Sequence, residues 1–267
     1  MPHNIYRCFP GGKHKALTMS YDDGRTYDRK LVEIFNQYGI KGTFHLNSGF
    51  LDDDEHISRS EVKTLYSGHE VACHTVTHPT IARSPLPQVV QQVLDDRKEL
   101  ESLVGYPVRG LSYPNGSYSE AIKSVLPALG IAYSRVVGDT HGFGLPNDLY
   151  EWKSTCHHTH SLMEDGNAFL ALHKTQYLYL MYVWGHSFEF NNDGNWNLIE
   201  DFCKLVGNKE DTWYATNIQI VDYLHLCDEL RFSADGSFVY NPGADTAYLS
   251  VDGKMVEVPG GKSVTLY

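Results

Sequence analysis

Two adjacent carboxylates, Asp22 and Asp23, follow an apolar run at residues 16–20 and precede Gly24. Such side chains can ligate a divalent cation or accept a proton, and the glycine lets the chain turn sharply after them. An ordinary Asp-Gly turn is the alternative for this segment taken alone.

Two histidines, His74 and His78, stand four residues apart directly after the apolar run at 70–73. This is metal-ligand spacing, because the imidazoles lie one above the other if the loop winds as a helical turn. Two imidazoles and one carboxylate leave coordination positions open for a water and a substrate oxygen, as a catalytic zinc requires. An isolated pair is more often two surface histidines, but its position matches that of Asp22 and Asp23 and favours a metal site.

Two further polar segments follow apolar runs later in the chain. Leu-Ser-Tyr-Pro-Asn-Gly at 111–116 is a turn whose free backbone amides are expected to point toward the same cleft. Val-Trp-Gly-His-Ser at 183–187 brings another histidine to the end of a predicted strand. Four strand ends are therefore predicted to converge on one site.

These residues need a scaffold, and the chain from residue 15 to about residue 228 has the pattern of repeated βα units. Amphipathic helices are predicted at 27–38 and 86–104. Polar residues that follow parallel strands meet at the C-terminal rim of a barrel, where active sites are built. Eight strands are predicted, enough to close a barrel with the helices outside, at residues 16–20, 42–46, 70–73, 110–113, 131–134, 151–154, 177–181 and 212–214.

The apolar residues alternate with period two after Leu230, and Asp235-Gly236 and Asp252-Gly253 predict hairpin turns. We predict a barrel domain over residues 1–228 and a small β-hairpin appendage over 229–267. About forty residues bury too little apolar surface to fold alone, so the appendage should pack on the barrel or on a partner subunit. A carbohydrate-binding role for it is the less favoured alternative.

Composition narrows the classes of partner. The 267 residues carry 22 Lys and Arg against 33 Asp and Glu, and the net charge of −11 argues against a nucleic-acid partner. No apolar stretch is long enough to span a membrane, and no secretory signal is recognised. The five cysteines have no C-x-x-C spacing and are interpreted as reduced thiols. This favours a cytoplasmic location, with export that needs no recognised signal as the alternative. A homo-oligomer is the protein partner considered.

With these motifs in this order, the chain resembles the polysaccharide deacetylase family, carbohydrate esterase family 4, over residues 15 to about 226. Ser-Tyr-Asp-Asp-Gly at 20–24 looks like the family's first motif (T-F-D-D-G) and residues 74–78 like its second (H-[ST]-x-x-H). Residues 111–116 look like its third, and the strand that ends at His186 like its fifth. The resemblance implies an α/β fold, a deformed (β/α) barrel of seven to eight strands.

The resemblance also implies roles for individual residues. One divalent metal, zinc first with cobalt or nickel as alternatives, would be held by Asp23, His74 and His78. Asp22 would act as general base and His186 as general acid. The implied reaction removes N-acetyl groups from an amino-sugar oligomer or polysaccharide, chitin-like or peptidoglycan-like. A small non-sugar amide, an O-acetyl ester, and sugar binding without turnover are the alternatives that the sequence leaves open.

Three departures from the family pattern concern substrate binding. The usual arginine of the third motif is absent unless Arg109 reaches round from its strand. The aspartate-tryptophan pair of the fourth motif has Asp148 and Trp152 as its nearest candidates, and Trp184 stands where a leucine is usual. The residues predicted to bind substrate or the oxyanion are Tyr113, Pro114, Asn115, Trp152 and Trp184.

Other histidines and aromatic residues are interpreted structurally. His157, His158 and His160 follow a predicted strand, and a polar loop is favoured for them over a place at the cleft. For Trp196, core packing and stacking on a sugar ring are equally favoured.

Overall fold

Fifteen strands are present in the computed structural model, which describes residues 3–267. In chain order they are β1 (Ile5–Cys8), β2 (Lys15–Asp23), β3 (Gly42–Leu46), β4 (Glu70–Cys73), β5 (Gly110–Ser112), β6 (Tyr133–Asp139), β7 (Trp152–Ser154), β8 (Cys156–His157), β9 (Tyr179–His186), β10 (Thr212–Tyr214), β11 (Arg231–Phe232), β12 (Phe238–Tyr240), β13 (Ala247–Val251), β14 (Lys254–Val258) and β15 (Ser263–Thr265).

Nine of these strands form one parallel sheet in the order β7-β6-β5-β4-β3-β2-β9-β8, with β10 pairing to the first half of β2. One segment joins the two ends of the sheet, because β7 pairs with β6 while β8, two residues later, pairs with β9. The Thr155 amide between them donates to the Tyr182 carbonyl at 2.8 Å. The predicted barrel is confirmed; β8 was not predicted, and β6 and β9 extend further toward the site than expected.

Among residues 3–267, eight α-helices lie between these strands, and the two that were predicted are present. Leu31, Ile34 and Phe35 of the first helix are buried, as their helical spacing indicates. The third helix ends at Gly105, whose φ of 81° is the left-handed conformation that glycine adopts at a helix C-terminus. The helices are α1 (Asp28–Gln37), α2 (Arg59–Leu65), α3 (Leu86–Val104), α4 (Glu120–Val125), α5 (Leu162–Leu170), α6 (Ser187–Asn192), α7 (Trp196–Val206) and α8 (Asn217–Glu229).

A buried chain of hydrogen bonds ties β2 and β9 to the start of α8. Thr18 donates to the Asn217 side chain at 2.7 Å, the Asn217 amide donates to the Tyr182 hydroxyl at 2.7 Å, and Tyr182 donates to Ser20 at 3.0 Å. Because buried polar groups that are fully paired resist displacement, this network holds the strand that carries Asp22 in a fixed position.

The strands after α8 form two small antiparallel sheets, β11-β12-β15 and β1-β13-β14. Both predicted hairpins are present, and Asp252 and Gly253 have the positive φ angles, 49° and 81°, of a tight two-residue turn. Strand β1 pairs with β13, so the second sheet includes a strand from the start of the chain. The Tyr223 hydroxyl of α8 accepts from the Tyr248 amide at 3.0 Å and donates to the Cys8 carbonyl at 2.6 Å, which joins this sheet to the barrel. The division at residue 228 stays a prediction.

Within residues 3–267, none of the helices combines the length and the apolarity that crossing a bilayer requires.

Asp28, at the start of α1, is fully buried and accepts hydrogen bonds from the hydroxyls of Tyr66 and Ser187. Burial raises the pKa of this carboxyl to about 7, against the lowering effect of its two donors. The unfolded chain ionises it near its usual pKa of about 4. A folded-state pKa above the unfolded one stabilises the fold at low pH, and this contribution is lost as the pH rises from about 4 to about 7.

We therefore expect Asp28→Asn to become more stable relative to the parent protein as the pH rises from about 4 to about 7, by up to about 4 kcal/mol. Asparagine preserves the shape, because one hydroxyl can still donate to its carbonyl oxygen while the other rotates to accept from its amide nitrogen. Urea unfolding at several pH values measures the difference. The exposed Asp201→Asn is the control, and a difference between Asp28→Asn and the parent that does not vary with pH would contradict the expectation.

Candidate active site

Three ionisable side chains stand in one row at the C-terminal ends of β9, β2 and β3. In the parallel register His186 lies beside Asp22, and Asp22 lies beside His45. Asp22 is 2% exposed, whereas the His186 side chain is 23% exposed. The row therefore has a buried carboxylate at its centre and an accessible imidazole at one end.

Asp23, His74 and His78 converge next to this row, as their positions after β2 and β4 predict. The Nε2 atoms of His74 and His78 lie 3.5 and 3.8 Å from Oδ1 of Asp23. The loop does not wind as a helical turn, because Thr75 and His78 have φ angles of 66° and 53° and no helix forms between the two histidines. The imidazoles meet edge to face instead, with ring centroids 4.7 Å apart. Asp23 too is left-handed, with a φ of 79°, and such strain is concentrated at functional sites.

His74 is held in one orientation by the polar groups around it. Its Nδ1 lies 2.8 Å from the Ser112 carbonyl, so the ring donates there and leaves the Nε2 lone pair toward Asp23. Its backbone amide donates to Asp96, a buried carboxylate that also accepts from the Ser48 amide. Burial lowers the pKa of His74 to about 3, so the imidazole is neutral at physiological pH.

The donor set of Asp23, His74 and His78 fits a divalent cation. Two ligand atoms about 2.1 Å from one ion lie about 3 to 3.4 Å from each other, close to the separations found here. One carboxylate and two imidazoles suit zinc and its neighbours in the first transition row. Three protein ligands leave positions open for water and substrate.

Asp22 is paired with two buried residues that were not predicted. Arg135 on β6, 1% exposed, donates to Oδ2 of Asp22, and Nδ1 of His45 lies 3.2 Å from Oδ1. Burial alone would raise the pKa of Asp22, but the Arg135 guanidinium beside it holds that pKa well below its usual range. Asp22 is therefore ionised at physiological pH.

The suggested substitute for the missing arginine was wrong. Arg109 lies at the surface, where Nη1 of its guanidinium is 2.8 and 3.0 Å from the two carboxylate oxygens of Asp222. Arg135 lies beside Asp22 instead. It reaches this carboxylate from β6, on the other side of the barrel. A charged residue within the apolar run Tyr-Ser-Arg-Val-Val was the available signal, as was His45 within Gly-Thr-Phe-His-Leu, because such residues are rarely buried without a partner.

We expect Arg135→Met to lower turnover about 10-fold to 10²-fold with metal binding retained, because Asp22 loses the group that orients it. The change also leaves a buried carboxylate unpaired, so stability should fall by about 3 to 5 kcal/mol and assays belong well below the melting temperature. Kinetics with zinc analysis measure both effects, and Arg135→Lys should recover part of the rate. Arg109→Met is the matched control; equal activity in the two methionine variants would contradict this role.

His186 stands at the end of β9 beside a carboxylate that sequence reasoning missed. Its Nδ1 lies 3.2 Å from Oε2 of Glu189, which also accepts from the His186 amide at 3.0 Å. Burial lowers the pKa of His186, but Glu189, Asp22 and Asp23 outweigh it and the net shift is upward. The protonated imidazole is therefore favoured, as a general acid requires.

The turn at Tyr113, Pro114 and Asn115 differs from its prediction. The Tyr113 ring is buried, with its hydroxyl donating to the Tyr150 carbonyl, and Pro114 is buried too. The amides of the two residues after Asn115 donate within the turn, to the carbonyls of Tyr113 and Pro114, so they are not free. Asn115 is exposed with a φ of 57°, and its side chain donates to Thr80 at 3.2 Å. Of the three residues, Asn115 alone offers a side chain to a ligand.

The two tryptophans predicted to bind substrate are buried. Trp152 is 2% exposed and packs edge to face against Tyr133 and Tyr182 in the core. Trp184 is 8% exposed, and the Arg135 guanidinium lies 4.1 Å from the centre of its ring. Stacking on a sugar is wrong for Trp152, since its rings are enclosed, and for Trp184, since Arg135 already covers one face.

Asp148 and Trp196, which were also considered for the substrate site, make structural contacts instead. Asp148 pairs with Lys123 at 2.7 Å rather than contacting Trp152's indole as a motif partner would. Trp196 packs against Phe190, and the Lys30 ammonium lies 4.5 Å from the centre of the Trp196 ring. Of the two roles considered for Trp196, the structure therefore favours packing over stacking on a sugar ring.

The sequence favoured a polar loop away from the cleft for His157, His158 and His160. This prediction is wrong for the first two. His157 and His158 are 8% and 1% exposed, and their Nε2 atoms lie 3.2 and 3.3 Å from Oε2 of Glu189. They therefore border the site on the side of His186. His160 is exposed and pairs with Asp139 at 2.6 Å. The pairing of β8 with β9, which the sequence did not reveal, is what turns the first two inward.

Comparison with known proteins confirms the resemblance read from the motifs. Residues 10–134 match the family model for polysaccharide deacetylase. This region contains Asp22, Asp23, His74 and His78, whereas His186 lies beyond it. A chitooligosaccharide deacetylase from Rhizobium leguminosarum is 25% identical over 146 residues, 54% of this chain and 59% of that protein. The chain spans about half the length of the curated relatives it matches.

Solved structures share the fold at low sequence identity. A Mycobacterium smegmatis protein assigned to the polysaccharide deacetylases superimposes with a TM-score of 0.61 at 16% identity, covering 85% of this chain and 96% of that one. A carbohydrate esterase family 4 pseudoenzyme from Bacillus anthracis superimposes with a TM-score of 0.53 at 15% identity, covering 81% and 68%. The architecture is therefore shared with a protein described as a pseudoenzyme, so the fold alone does not imply activity and the residues of the site must decide it.

Proposed function

From this resemblance to the polysaccharide deacetylases, we propose that the protein is a metal-dependent hydrolase that removes N-acetyl groups from an amino-sugar oligomer or polysaccharide. The observation that carries the proposal is the convergence of Asp22, the Asp23, His74 and His78 set, and His186 at one end of one barrel. A binding module would need neither the buried carboxylate nor the imidazole beside it.

In this proposal Asp23, His74 and His78 hold one divalent cation, with zinc as the first candidate and cobalt or nickel as alternatives. When bound, such an ion makes a coordinated water more acidic and polarises the acetyl carbonyl. Ser112 and Asp96 support the ligands, since they fix the ring and the backbone of His74.

Two residues move protons on opposite sides of the scissile bond. Asp22, ionised and held by Arg135, accepts a proton from the attacking water as the new carbon–oxygen bond forms. His186 donates a proton to the amine nitrogen as the carbon–nitrogen bond breaks, since an amine leaves poorly as an anion. Glu189, in contact with both the amide and the ring of His186, holds that imidazole in place.

We expect His186→Ala to cut hydrolysis of an acetamide by about 10²-fold or more and to affect an activated acetate ester much less. A good leaving group needs little protonation, so the ester reports the remaining machinery. Parallel rate measurements on the two substrates, with zinc content at the Asp23 site checked, give the answer. Equal losses on both would show that His186 binds substrate or stabilises the oxyanion, and loss of that zinc would make it a ligand.

The test of the function as a whole is release of acetate. The protein is stripped with a chelator, resupplied with zinc, and incubated with chitin oligomers, peptidoglycan fragments, acetylxylan and small acetamides. Release from acetylated amino sugars that is lost on chelation and restored by zinc supports the proposal. Bound zinc without release from any of them would make the protein a binder, while release from acetylxylan or small amides alone would change the substrate class.

A further inference from the structure

A second group of metal-binding side chains lies beside His186, outside the Asp23 set. The ligand atoms of His157, His158 and Glu189 all lie within 4.8 Å of one another. We infer that these three residues bind a second divalent transition-metal ion. This goes beyond the proposed deacetylase function, which uses one ion, and it concerns residues to which that function gives no metal.

The spacing around Glu189 is that of ligands sharing an ion. Nε2 of His157 and Nε2 of His158 lie 3.2 and 3.3 Å from the same carboxylate oxygen, Oε2. Two atoms bound to one zinc lie about 3 to 3.4 Å apart, so both separations fit an ion shared between these side chains. The separations are close to those in the Asp23 set, at 3.5 and 3.8 Å.

His158 provides the second observation, because it is buried without a hydrogen bond. Its side chain is fully enclosed, and neither ring nitrogen has a hydrogen-bond partner among residues 3–267. A buried imidazole normally satisfies at least one nitrogen. Here Nε2 is aimed at Glu189 and His157, so an ion between the three would satisfy it.

The ring of His158 is held in that direction by its neighbours. It stacks between Tyr21 and Phe190, with centroid distances of 5.6 and 4.1 Å. Gly185 leaves the space it needs, since a Cβ on that glycine would fall 1.9 Å from Nδ1 of the ring. A rigid, preformed ligand of this kind loses little conformational freedom when it binds an ion.

His157 is oriented independently. Its Nδ1 lies 2.7 Å from the Thr159 hydroxyl and accepts from the Thr159 amide at 3.3 Å, and these contacts direct Nε2 toward Glu189. Its backbone amide donates to Asp139 at 2.8 Å. Two imidazole nitrogens and one carboxylate oxygen are the donors that suit zinc, copper and nickel rather than calcium or magnesium.

Counting zinc ions per folded chain tests this inference without any substrate. The protein is stripped with a chelator and dialysed against a series of Zn²⁺ concentrations, and bound zinc is measured by atomic emission. We expect two ions per parent chain and one in His157→Gln, His158→Phe or His78→Ala. The double variant His78→Ala with His157→Gln should bind none.

The control is His160→Gln, an exposed histidine of the same segment, which should retain two ions. His158→Phe keeps an aromatic ring between its neighbours, and His157→Gln carries the test if that variant does not fold. One zinc in the parent that is lost entirely in His78→Ala would overturn the second site while leaving the first intact. Two ions retained in His157→Gln would overturn it as well.

Discussion

Asp22→Asn is expected to lower turnover of an acetylated amino sugar by about 10²-fold or more while zinc still binds. Asparagine keeps the shape of the carboxylate but cannot accept the proton of the attacking water. The metal set does not include this residue, since the atoms that converge belong to Asp23, His74 and His78. Steady-state kinetics at saturating zinc, with bound zinc measured on the same sample, separate the two effects.

The same change removes the charge that balances Arg135, which is 1% exposed. Removing one partner of a buried ion pair costs about 3 to 5 kcal/mol, so the free energy of unfolding should fall by that amount. Circular dichroism must therefore confirm that the variant is folded at the assay temperature. Asp222→Asn, which breaks an exposed pair with Arg109, is the control and should leave the rate unchanged. Full activity in folded Asp22→Asn would assign the base to another group.

His78→Ala and His74→Ala are each expected to abolish zinc binding at the Asp23 site and nearly all activity, because two remaining ligands do not hold the ion against water. The side chain of His78 is 27% exposed, whereas His74 is enclosed and tied to Ser112. We therefore expect the loss of stability to be larger in His74→Ala. Bound zinc is measured after dialysis, and unfolding in urea gives the stability of both variants.

His56→Ala serves as the control for this pair, because its imidazole pairs with Asp53 away from the site. It should keep the parent's zinc and rate. If either ligand variant retained zinc at the parent stoichiometry, that histidine would not be a ligand. Activity that survives with the zinc gone from this site would remove the ion from the reaction.

The sequence predicted those site residues that stand at the end of a predicted strand or directly after it. Asp22 and Asp23 end one parallel strand and His74 and His78 follow another, and the ends of such strands meet at one edge whatever their order. Their convergence therefore follows from the βα pattern alone. The left-handed backbone at Thr75 and His78 could not be predicted in this way, since a β-branched threonine disfavours it and only a small fraction of histidines adopt it.

The residues that were missed or misplaced depend on contacts between distant strands. Arg135 reaches Asp22 across the barrel, 113 residues along the chain, and no spacing in the sequence indicates that pair. Trp152 was expected at the cleft because it stands near a strand end. Which side of the sheet it faces depends on the register of the closing segment, where β7 and β8 are only three and two residues long. Such short strands carry too little alternation to show their register.

The pairing of β1 with β13 has a consequence for how the chain folds. Ile5 pairs with Val251, so nearly the whole length of the chain separates the two strands. Contacts of such high sequence separation form slowly, because the intervening chain must be ordered before its ends can meet. Until then β1 has an open hydrogen-bonding edge, which can pair with the β13 of another molecule as readily as with its own. Refolding at high protein concentration should therefore favour exchange of this strand between chains, and dilute conditions should favour the closed monomer.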